Sequence, residues 1–284
     1  MNLSKWTAVF LLFLGIGFSA NAHALQINGY DPARHDRFVP GTYAGNPVNN
    51  PDFFASQYDW SGVGWNSSYP SQSITMISPL HYICAWHYQI PVGGSLSFSN
   101  RDGELKSYNV AKNTIFYHPN GNLAGDFALG WLDEPISESD NIGYYPILDV
   151  ENDWCFDKEV YMYGWNARVA TNIVENEPRY SYLKTDFNGG YIDEGYCQGG
   201  DSGSPLFMTW NNQLALLGIH VQIQPSHLIT NHEYLPDKVF PYLNPAMAEA
   251  GYAVDTITIP EPSTILLLGV GLVGIFAGRR KLKR

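Results

Sequence analysis

Short runs of apolar and β-branched residues, broken by turn signals every ten residues or so, fill the centre of the chain. This pattern is typical of an all-β protein, because the apolar positions of a helix would recur at roughly every third or fourth residue. Asp102-Gly103 supplies a hairpin turn in the first half. The strands predicted for this half are 73–77, 82–85, 95–98, 108–111, 114–117 and 128–132.

A second set of strands follows an acidic stretch, 133–157, which is predicted to connect the two sets. Asn211-Asn212 marks a turn in the second set. One helix is expected at 242–250, because Gly251 stands where a C-terminal cap belongs. The strands predicted for the second set are 159–163, 180–184, 205–209 and 214–219. The pattern as a whole fits two six-stranded antiparallel β-barrels with a short C-terminal helix.

The N-terminal end has the features of a secretory signal peptide. Lys5 precedes an apolar run at 8–18, and the small-residue triplet Ala22-His23-Ala24 forms a cleavage site. The segment 1–24 is therefore expected to be removed by signal peptidase, so that the mature chain begins near Leu25. A retained signal anchor is the alternative, although the apolar run is short for a membrane span.

The C-terminal end carries a second address. The triplet Pro260-Glu261-Pro262 leads into an apolar run at 265–277, and five cations follow it between 279 and 284. This order resembles the PEP-CTERM sorting signal of Gram-negative bacteria. The resemblance implies recognition by an exosortase-type enzyme, transient anchoring in the inner membrane with the body outside, and removal of the tail. A buried C-terminal helix is the alternative.

Charge excludes one class of partner. The whole chain has a formal charge of −11, and without its two ends 10 basic residues face 26 acidic ones, a net charge of about −16. The basic residues of the body form no stripe or patch. Nucleic acid is therefore not an expected ligand.

Three cysteines in an exported protein allow one disulfide and leave one thiol. Cys84 lies in an apolar strand pattern and is expected to be buried and free. Cys155 with Cys197 is then the leading pair, although the sequence alone leaves all three pairings open. The cysteine spacing gives no support for a structural zinc site.

The strongest candidate for chemistry is the loop Gly199-Gly200-Asp201-Ser202-Gly203-Ser204-Pro205, which opens directly into a predicted strand. An attacking serine needs an exposed hydroxyl and backbone N–H groups that converge on a developing oxyanion. Glycines permit the backbone conformations that present such donors. The amides of Gly200 and Ser202 are the candidate oxyanion hole, and an ordinary glycine-rich turn is the competing interpretation.

Two further segments supply a base and a carboxylate. Residues 77–88 end a predicted strand at Ala85-Trp86-His87, and Asp126-Phe127-Ala128-Leu129 opens another strand. The three segments resemble those of the trypsin and chymotrypsin family of serine proteases, in the family's order of His, Asp and Ser. The resemblance implies a chymotrypsin-like fold, a catalytic triad of His87, Asp126 and Ser202, and no need for a metal or an organic cofactor. His81 is a rival for the role of base.

The sequence departs from the family at several positions. Trp86 and Tyr88 replace the alanine and the half-cystine that usually flank the histidine, and Ser204 replaces a glycine, as in bacterial glutamyl endopeptidases. Gly218-Ile219-His220 also resembles that group, in which a histidine on the pocket wall helps bind an acidic side chain. His220 is therefore an expected substrate-binding residue, with a half-buried structural histidine as the alternative. Tyr196 stands where cleavage after Lys or Arg needs a carboxylate, so simple trypsin specificity is not expected. Tyr196 and Gln198 are also expected to contact the substrate.

Activation by a new N-terminus is a further implication of the resemblance. In zymogen-activated relatives a carboxylate equivalent to Asp201 pairs with that N-terminus. The segment 37–41, Arg-Phe-Val-Pro-Gly, is a weak candidate for the cleavage point. On this basis residues 25–59 form an N-terminal segment that is a candidate propeptide.

The sequence therefore predicts a protease domain at 60–251, followed by a linker and sorting tail at 252–284. The expected function is a secreted serine endopeptidase that acts on polypeptides. A catalytically silent matrix or adhesion protein on the same scaffold is the alternative, in line with the sorting signal and with 19 Tyr and 8 Trp. An esterase with the same residues is a third reading, but the order of the motifs is wrong for an α/β-hydrolase.

Overall fold

The computed structural model describes residues 24–176 and 182–259. The expected signal segment up to residue 23 and the sorting tail from 260 onward lie outside the described residues, as do the first two residues of the strand predicted at 180–184. No helix in the described ranges is long and apolar enough to cross a membrane. The apolar run at 265–277 is not among the described residues.

The first half of the body is a closed antiparallel barrel, with strand order β2-β3-β4-β7-β6-β5. Every strand predicted for this half is present, and 108–111 and 114–117 belong to a single long strand. One strand, β2, was not predicted. The strands are β2 (Val63–Asn66), β3 (Ser73–Met76), β4 (His81–Cys84), β5 (Ser95–Ser99), β6 (Leu105–Tyr117) and β7 (Leu123–Leu132), and β1 precedes them in the N-terminal segment.

Alternating side chains fill this barrel. Ile74 and Met76 of β3 point to the barrel core together with Tyr82 and Cys84 of β4, because side chains two apart share a face of a strand. Tyr82 stands opposite Gly130 in the β4–β7 register, and its ring occupies the space that a Cβ on Gly130 would need. The intervening residues of the same strands face the larger core between the two halves.

The second half is an eight-stranded sheet with the main order β10-β9-β13-β14-β15-β11, to which β8 and β16 add at β14. Its two outer strands meet at one isolated bridge between Val174 and Thr185. Neither β10 nor β15 was predicted from the sequence. The strands are β8 (Ile147–Asp149), β9 (Glu159–Gly164), β10 (Arg168–Ile173), β11 (Tyr182–Asp186), β12 (Gly195–Tyr196), β13 (Pro205–Trp210), β14 (Gln213–Gln224), β15 (Ile229–Tyr234) and β16 (Thr256–Thr258), of which β12 lies outside this sheet.

The N-terminal segment is part of the packed body. Strand β1 (Gln26–Ile27) pairs with β12, and α1 (Pro32–His35) follows with Asp31 as its N-cap. Phe38 and Phe53 are buried in the core between the two halves. Removal of 25–59 as a propeptide would expose these rings. Within the candidate cleavage segment 37–41, Arg37 and Phe38 are 6% and 2% exposed, whereas Val39 is 37% exposed.

The C-terminal helix is confirmed, with an earlier start than predicted. A single π turn over Val239–Leu243 passes into α2 (Asn244–Met247) and a 3₁₀ turn over Ala248–Ala250. Gly251 ends the helical segment with φ of +79°, and its N–H bonds to the carbonyl of Ala248 at 3.0 Å. The left-handed conformation explains the glycine at this position.

The three cysteines are buried and free. Cys84 was expected to be so, whereas the tentative disulfide between Cys155 and Cys197 is not present. Both belong to the apolar core on one face of the second sheet, where they pack as small hydrophobic side chains. Burial raises the pKa of each thiol, Cys155 to about 12, so neither is poised to react as a thiolate.

Candidate active site

The register of the first barrel brings His87 to Asp126. Strands β4 and β7 are antiparallel, and Cys84 stands opposite Ala128. Because the two chains continue in opposite directions, the residues just after Cys84 meet the residues just before Ala128. Trp86–Tyr88 forms a 3₁₀ turn at this end of the barrel, which turns the His87 ring toward Asp126.

The second half contributes Ser202 through the loop between β12 and β13. The N–H of Gly203 donates to the carbonyl of His220 at 2.8 Å, and the N–H of His220 donates to the carbonyl of Ser204 at 2.9 Å, so the loop is fixed to β14. Gly203 has φ of +85°, and a Cβ there would lie 3.0 Å from the amide nitrogen of Ala85. A glycine is therefore needed for both the backbone conformation and the close approach to the first barrel.

These elements place three side chains in a hydrogen-bonded row. Nδ1 of His87 lies 2.6 Å from Oδ2 of Asp126, and Nε2 lies 2.9 Å from Oγ of Ser202. The backbone N–H of His87 also donates to Oδ1 of Asp126 at 3.2 Å. Since a carboxylate accepts at Nδ1, that nitrogen carries the hydrogen, and Nε2 of the neutral ring is left to accept the serine hydroxyl.

The pKa of this histidine is shifted upward. The hydrogen bond with Asp126 raises the pKa of His87 above its ordinary value, and partial burial opposes the rise. The side chains of His87 and Asp126 are 41% and 24% exposed, so the row is open to solvent. A base with this environment can take a proton from Ser202 and hold the resulting charge beside a carboxylate.

Two backbone donors stand free beside Ser202. The amides of Gly200 and Ser202 donate no hydrogen bond to any other described residue, whereas their neighbours Asp201 and Gly203 donate to the carbonyls of Gln198 and His220. Gly200 has φ of +111°, a conformation that side-chain-bearing residues rarely adopt. The loop thus presents two N–H groups that an anionic oxygen at Ser202 can accept.

Asp201 holds this loop from within. Its carboxylate is fully buried and accepts the backbone N–H groups of Trp165 and Gln198, each at 2.7 Å. Burial raises the pKa of Asp201 to about 7, against these two hydrogen bonds and the more distant Arg168. A Cβ on Gly164 would lie 2.7 Å from Oδ1 of Asp201 and 2.6 Å from Cγ of Leu25. The expected first residue of the mature chain therefore lies beside this carboxylate.

His81, the rival base, lies elsewhere. It is fully buried in β4, Nδ1 is 2.8 Å from the hydroxyl of Ser78, and its ring packs edge-on against Trp131. Burial lowers the pKa of His81 to about 4. The structure brings it to neither Asp126 nor Ser202.

His220 is committed to a buried network instead of a pocket wall. Its Nε2 lies 3.0 Å from the carbonyl of Tyr163, so this nitrogen carries the hydrogen. Its Nδ1 then accepts from Nδ1 of His232 at 2.7 Å, and Nε2 of His232 accepts from the hydroxyl of Thr185 at 3.0 Å. All four ring nitrogens of these two neutral histidines therefore have hydrogen-bond partners.

This network removes the expected basis for binding acidic side chains. His220 is 1% exposed, and burial lowers its pKa to about 3. It offers neither a positive charge nor a free N–H to a substrate carboxylate. The geometry therefore favours the alternative for His220, a histidine with a structural role.

The other two expected substrate-binding residues, Tyr196 and Gln198, differ in their exposure to solvent. Tyr196 is 3% exposed, pairs with Gln26 through the backbone, and packs near Phe187. Gln198 is partly exposed, and its N–H contributes to the anchoring of Asp201. The open cavity at the candidate site has a volume of about 370 Å³ and is lined by His87, Asp126, Tyr182, Val221 and Gln222. Of these, sequence reasoning missed the last three, although Val221 and Gln222 directly follow His220.

The structure adds one buried ion pair that the sequence did not reveal. Glu233 and Lys238 are 1% and 5% exposed, and Nζ of Lys238 lies 3.3 Å from Oε1 of Glu233. The other oxygen of Glu233 accepts the backbone N–H of Asp126 at 2.9 Å. No group of His, Cys, Asp and Glu suited to a metal ion occurs within 24–176 and 182–259.

Comparison with known families identifies the C-terminal end. Residues 258–281 match the PEP-CTERM protein-sorting motif, which confirms the sorting signal. The motif indicates export by a Gram-negative bacterium, with a cell-surface or extracellular location, and recognition by an exosortase-type sorting enzyme. No curated protein matches the chain.

Proposed function

We propose that the exported body is a serine endopeptidase of the trypsin and chymotrypsin type, with His87, Asp126 and Ser202 as its catalytic residues. The observation that carries the proposal is the single row in which His87 bridges Asp126 at 2.6 Å and Ser202 at 2.9 Å. A nucleophile, a base and an orienting carboxylate in mutual hydrogen-bond contact are what acyl transfer requires. The substrate is a polypeptide.

In this mechanism Ser202 attacks a peptide carbonyl while its proton passes to Nε2 of His87. Asp126 stabilises the imidazolium, and the amides of Gly200 and Ser202 donate to the oxyanion. The imidazolium then protonates the leaving amine, and an acyl-enzyme remains on Oγ. Water repeats the sequence, and the serine is regenerated. The nucleophile, the base, the carboxylate and the oxyanion donors all belong to this chain, and water is the second substrate.

The proposal extends to the fold and to export. We take the six strands from β10 to β11 as the second barrel of a chymotrypsin-like pair, because the outer strands meet at the Val174–Thr185 bridge. Ser202 then lies at the junction of the two barrels. Signal peptidase releases the N-terminus, and the C-terminal tail anchors the chain in the inner membrane until sorting removes it.

Labelling of the mature protein with a fluorophosphonate tests the proposal, because this probe phosphonylates activated serines. We expect the modification to map to Ser202 and to vanish in Ser202→Ala. Peptide hydrolysis by this variant should fall by a factor of about 10³ or more. The hydroxyl is lost from a partly exposed loop position, so the fold should be retained.

Ser204→Ala is the matched control. This serine lies in the same loop, is fully buried, and its hydroxyl has no hydrogen-bond partner among the described residues. The Ser204→Ala protein should be labelled at Ser202 at close to the wild-type rate. A wild-type protein that resists the probe, or a Ser202→Ala protein that still hydrolyses peptides, would reject the protease assignment and favour a silent matrix or adhesion protein.

A further inference from the structure

The backbone of Asp126 is held by a side chain from the opposite half of the molecule. Its N–H donates to Oε2 of Glu233 at 2.9 Å, and Glu233 lies in β15 of the second sheet, 107 positions further along the chain. Asp126 itself lies in β7 of the first barrel. The hydrogen bond therefore crosses the junction on which the candidate active site is built.

Glu233 is connected to the nucleophile loop through the sheet. It stands opposite Ile219 in the β14–β15 register, and the next residue of β14, His220, makes both backbone hydrogen bonds that fix Gly203 and Ser204. A short path of backbone hydrogen bonds thus runs from the Ser202 loop through two strands to Glu233, and from its carboxylate to Asp126. The Ser202 loop and Asp126 are therefore both connected to the side chain of Glu233.

The sequence makes room for this contact at residue 125. A Cβ on Gly125 would lie 2.6 Å from Cδ of Glu233 and 2.9 Å from its Oε2. Contacts this short do not occur between real atoms, so any other residue at 125 would displace the carboxylate. The glycine before Asp126 is therefore explained by the approach of Glu233 rather than by its backbone conformation.

Lys238 neutralises the buried carboxylate. It reaches Glu233 at 3.3 Å and the more exposed Asp237 at 3.2 Å. Burial raises the pKa of Glu233 against the attraction of Lys238. Burial lowers the pKa of Lys238, but Asp237 and Glu233 together raise it above its ordinary value. Tyr182 of β11 also faces this pair, as does Asp126 of β7.

We propose that Glu233, with Lys238 as its counter-ion, is the positioning residue of the site: it fixes the backbone of Asp126 against the second sheet and balances the positive charge of Lys238 near the Asp126–His87 pair. This inference rests on the proposed function for its consequence in catalysis. Its consequence for the titration of His87 does not depend on turnover.

Glu233→Gln separates these two roles. The amide oxygen of glutamine can still accept the N–H of Asp126, but the negative charge is lost while Lys238 remains positive. The protonated form of His87 is then less favoured, and we expect its pKa to fall by about half a unit to one unit. The measurement is an NMR titration of His87, with Ser202→Ala in all proteins to prevent self-digestion.

Glu233→Ala and Gly125→Ala remove the contact itself. In the otherwise wild-type protein we expect the rate of fluorophosphonate labelling to fall about tenfold or more, because a small misplacement of the base costs this much. Glu194→Gln is the matched control, because Glu194 is also 1% exposed and accepts backbone N–H groups from Asn188 and Gly190. It should leave the His87 pKa unchanged.

The outcomes are distinguishable. If the wild-type protein is labelled at Ser202, but Glu233→Gln leaves the pKa of His87 unchanged and Glu233→Ala is labelled at the wild-type rate, the role of Glu233 is wrong and the protease assignment stands. If the wild-type protein resists the probe but Glu233→Gln lowers that pKa, the electrostatic role of Glu233 stands and the proposed function is wrong. Should the alanine variants fail to fold, the Glu233→Gln titration alone decides whether Glu233 acts on the site.

Discussion

At the scale of single residues, the candidate site depends on which nitrogen of each histidine is occupied. His87 has a carboxylate at Nδ1 and a hydroxyl at Nε2, and it is accessible to solvent. His220 has a carbonyl and a second imidazole in these places and is buried. Both histidines have complete hydrogen bonding, but the pKa of His87 is raised and that of His220 is lowered. The difference arises because His87 bonds to a carboxylate near solvent, whereas the partners of His220 are neutral and buried.

The pH dependence of activity should follow from the first of these environments. His87 must be neutral to accept the serine proton, and its pKa is raised by Asp126. We expect kcat/KM to rise with pH through an apparent pKa above the ordinary histidine value of about 6.5.

Asp126→Asn removes the charge that raises this pKa. The acid limb of the profile should move to lower pH, and the rate should fall by about 10⁴ because a neutral amide no longer holds the His87 ring in the tautomer that leaves Nε2 free to accept. The profile is measured with a neutral peptide substrate. An acid limb that does not move in Asp126→Asn would show that another group controls the titration.

At the scale of elements, most strands with apolar or aromatic alternation were predicted, whereas the short β2 and the more polar β10 and β15 were not. β3, β4 and β9 were found from their β-branched and aromatic residues, to within one or two positions at their ends. β15 was missed because Thr230, Asn231, His232 and Glu233 stand in a row, and such residues normally mark a solvated segment. Their burial is possible because distant residues supply partners, such as Cys197, Gln222 of β14 and Lys238, which no local pattern reveals.

The same strand should make the protein sensitive to acid. Burial lowers the pKa of His220 to about 3 and that of His232 well below its ordinary value, so both stay neutral in the folded state. Unfolded histidines take up protons below about pH 6.5, so this contribution to stability is complete above that pH and is lost as the pH falls toward the folded-state pKa. We expect a loss of about 2 kcal/mol for each histidine between pH 6.5 and 5.

Urea unfolding at pH 7, 6 and 5 measures this effect. The double variant His220→Leu with His232→Leu should be less stable at pH 7, because the Tyr163 carbonyl and the Thr185 hydroxyl lose their partners. Its free energy of unfolding should nevertheless depend less steeply on pH than that of the wild type. His227→Leu, at an exposed turn, is the control. An unchanged slope in the double variant would contradict the neutral network.

At the scale of the whole molecule, the sequence predicted the address signals and the three segments of the candidate site, but not how the two halves are joined. The joining contacts come from residues far apart in the chain, such as Glu233 on Asp126 and Gly203 against Ala85. The N-terminal segment also had no motif that tied it to the body. Its position follows from long-range pairing of β1 with β12 and from the burial of Phe38.

That position brings Leu25 close to the nucleophile loop. Arg168 donates to the carbonyl of Leu25 at 3.2 Å, and Leu25 packs beside the buried Asp201, whose pKa is raised to about 7. Signal-peptidase cleavage after Ala24 would create a new α-ammonium group on Leu25, the residue whose side chain packs beside Asp201. A nearby positive charge would lower the pKa of Asp201 and stabilise the loop that carries Ser202.

We therefore expect export and maturation to be a single event. Protein that begins at Leu25 should react with a fluorophosphonate about tenfold or more faster than protein with a two-residue extension before Leu25, because the extension moves the charged N-terminus away from the residue that packs beside Asp201. Asp201→Asn should abolish the difference between the two forms. Intact-mass analysis of exported material should give a chain that starts at Leu25 and ends close to Pro262. Equal labelling of the extended and the native N-terminus would show that Asp201 holds the loop through the Trp165 and Gln198 amides alone.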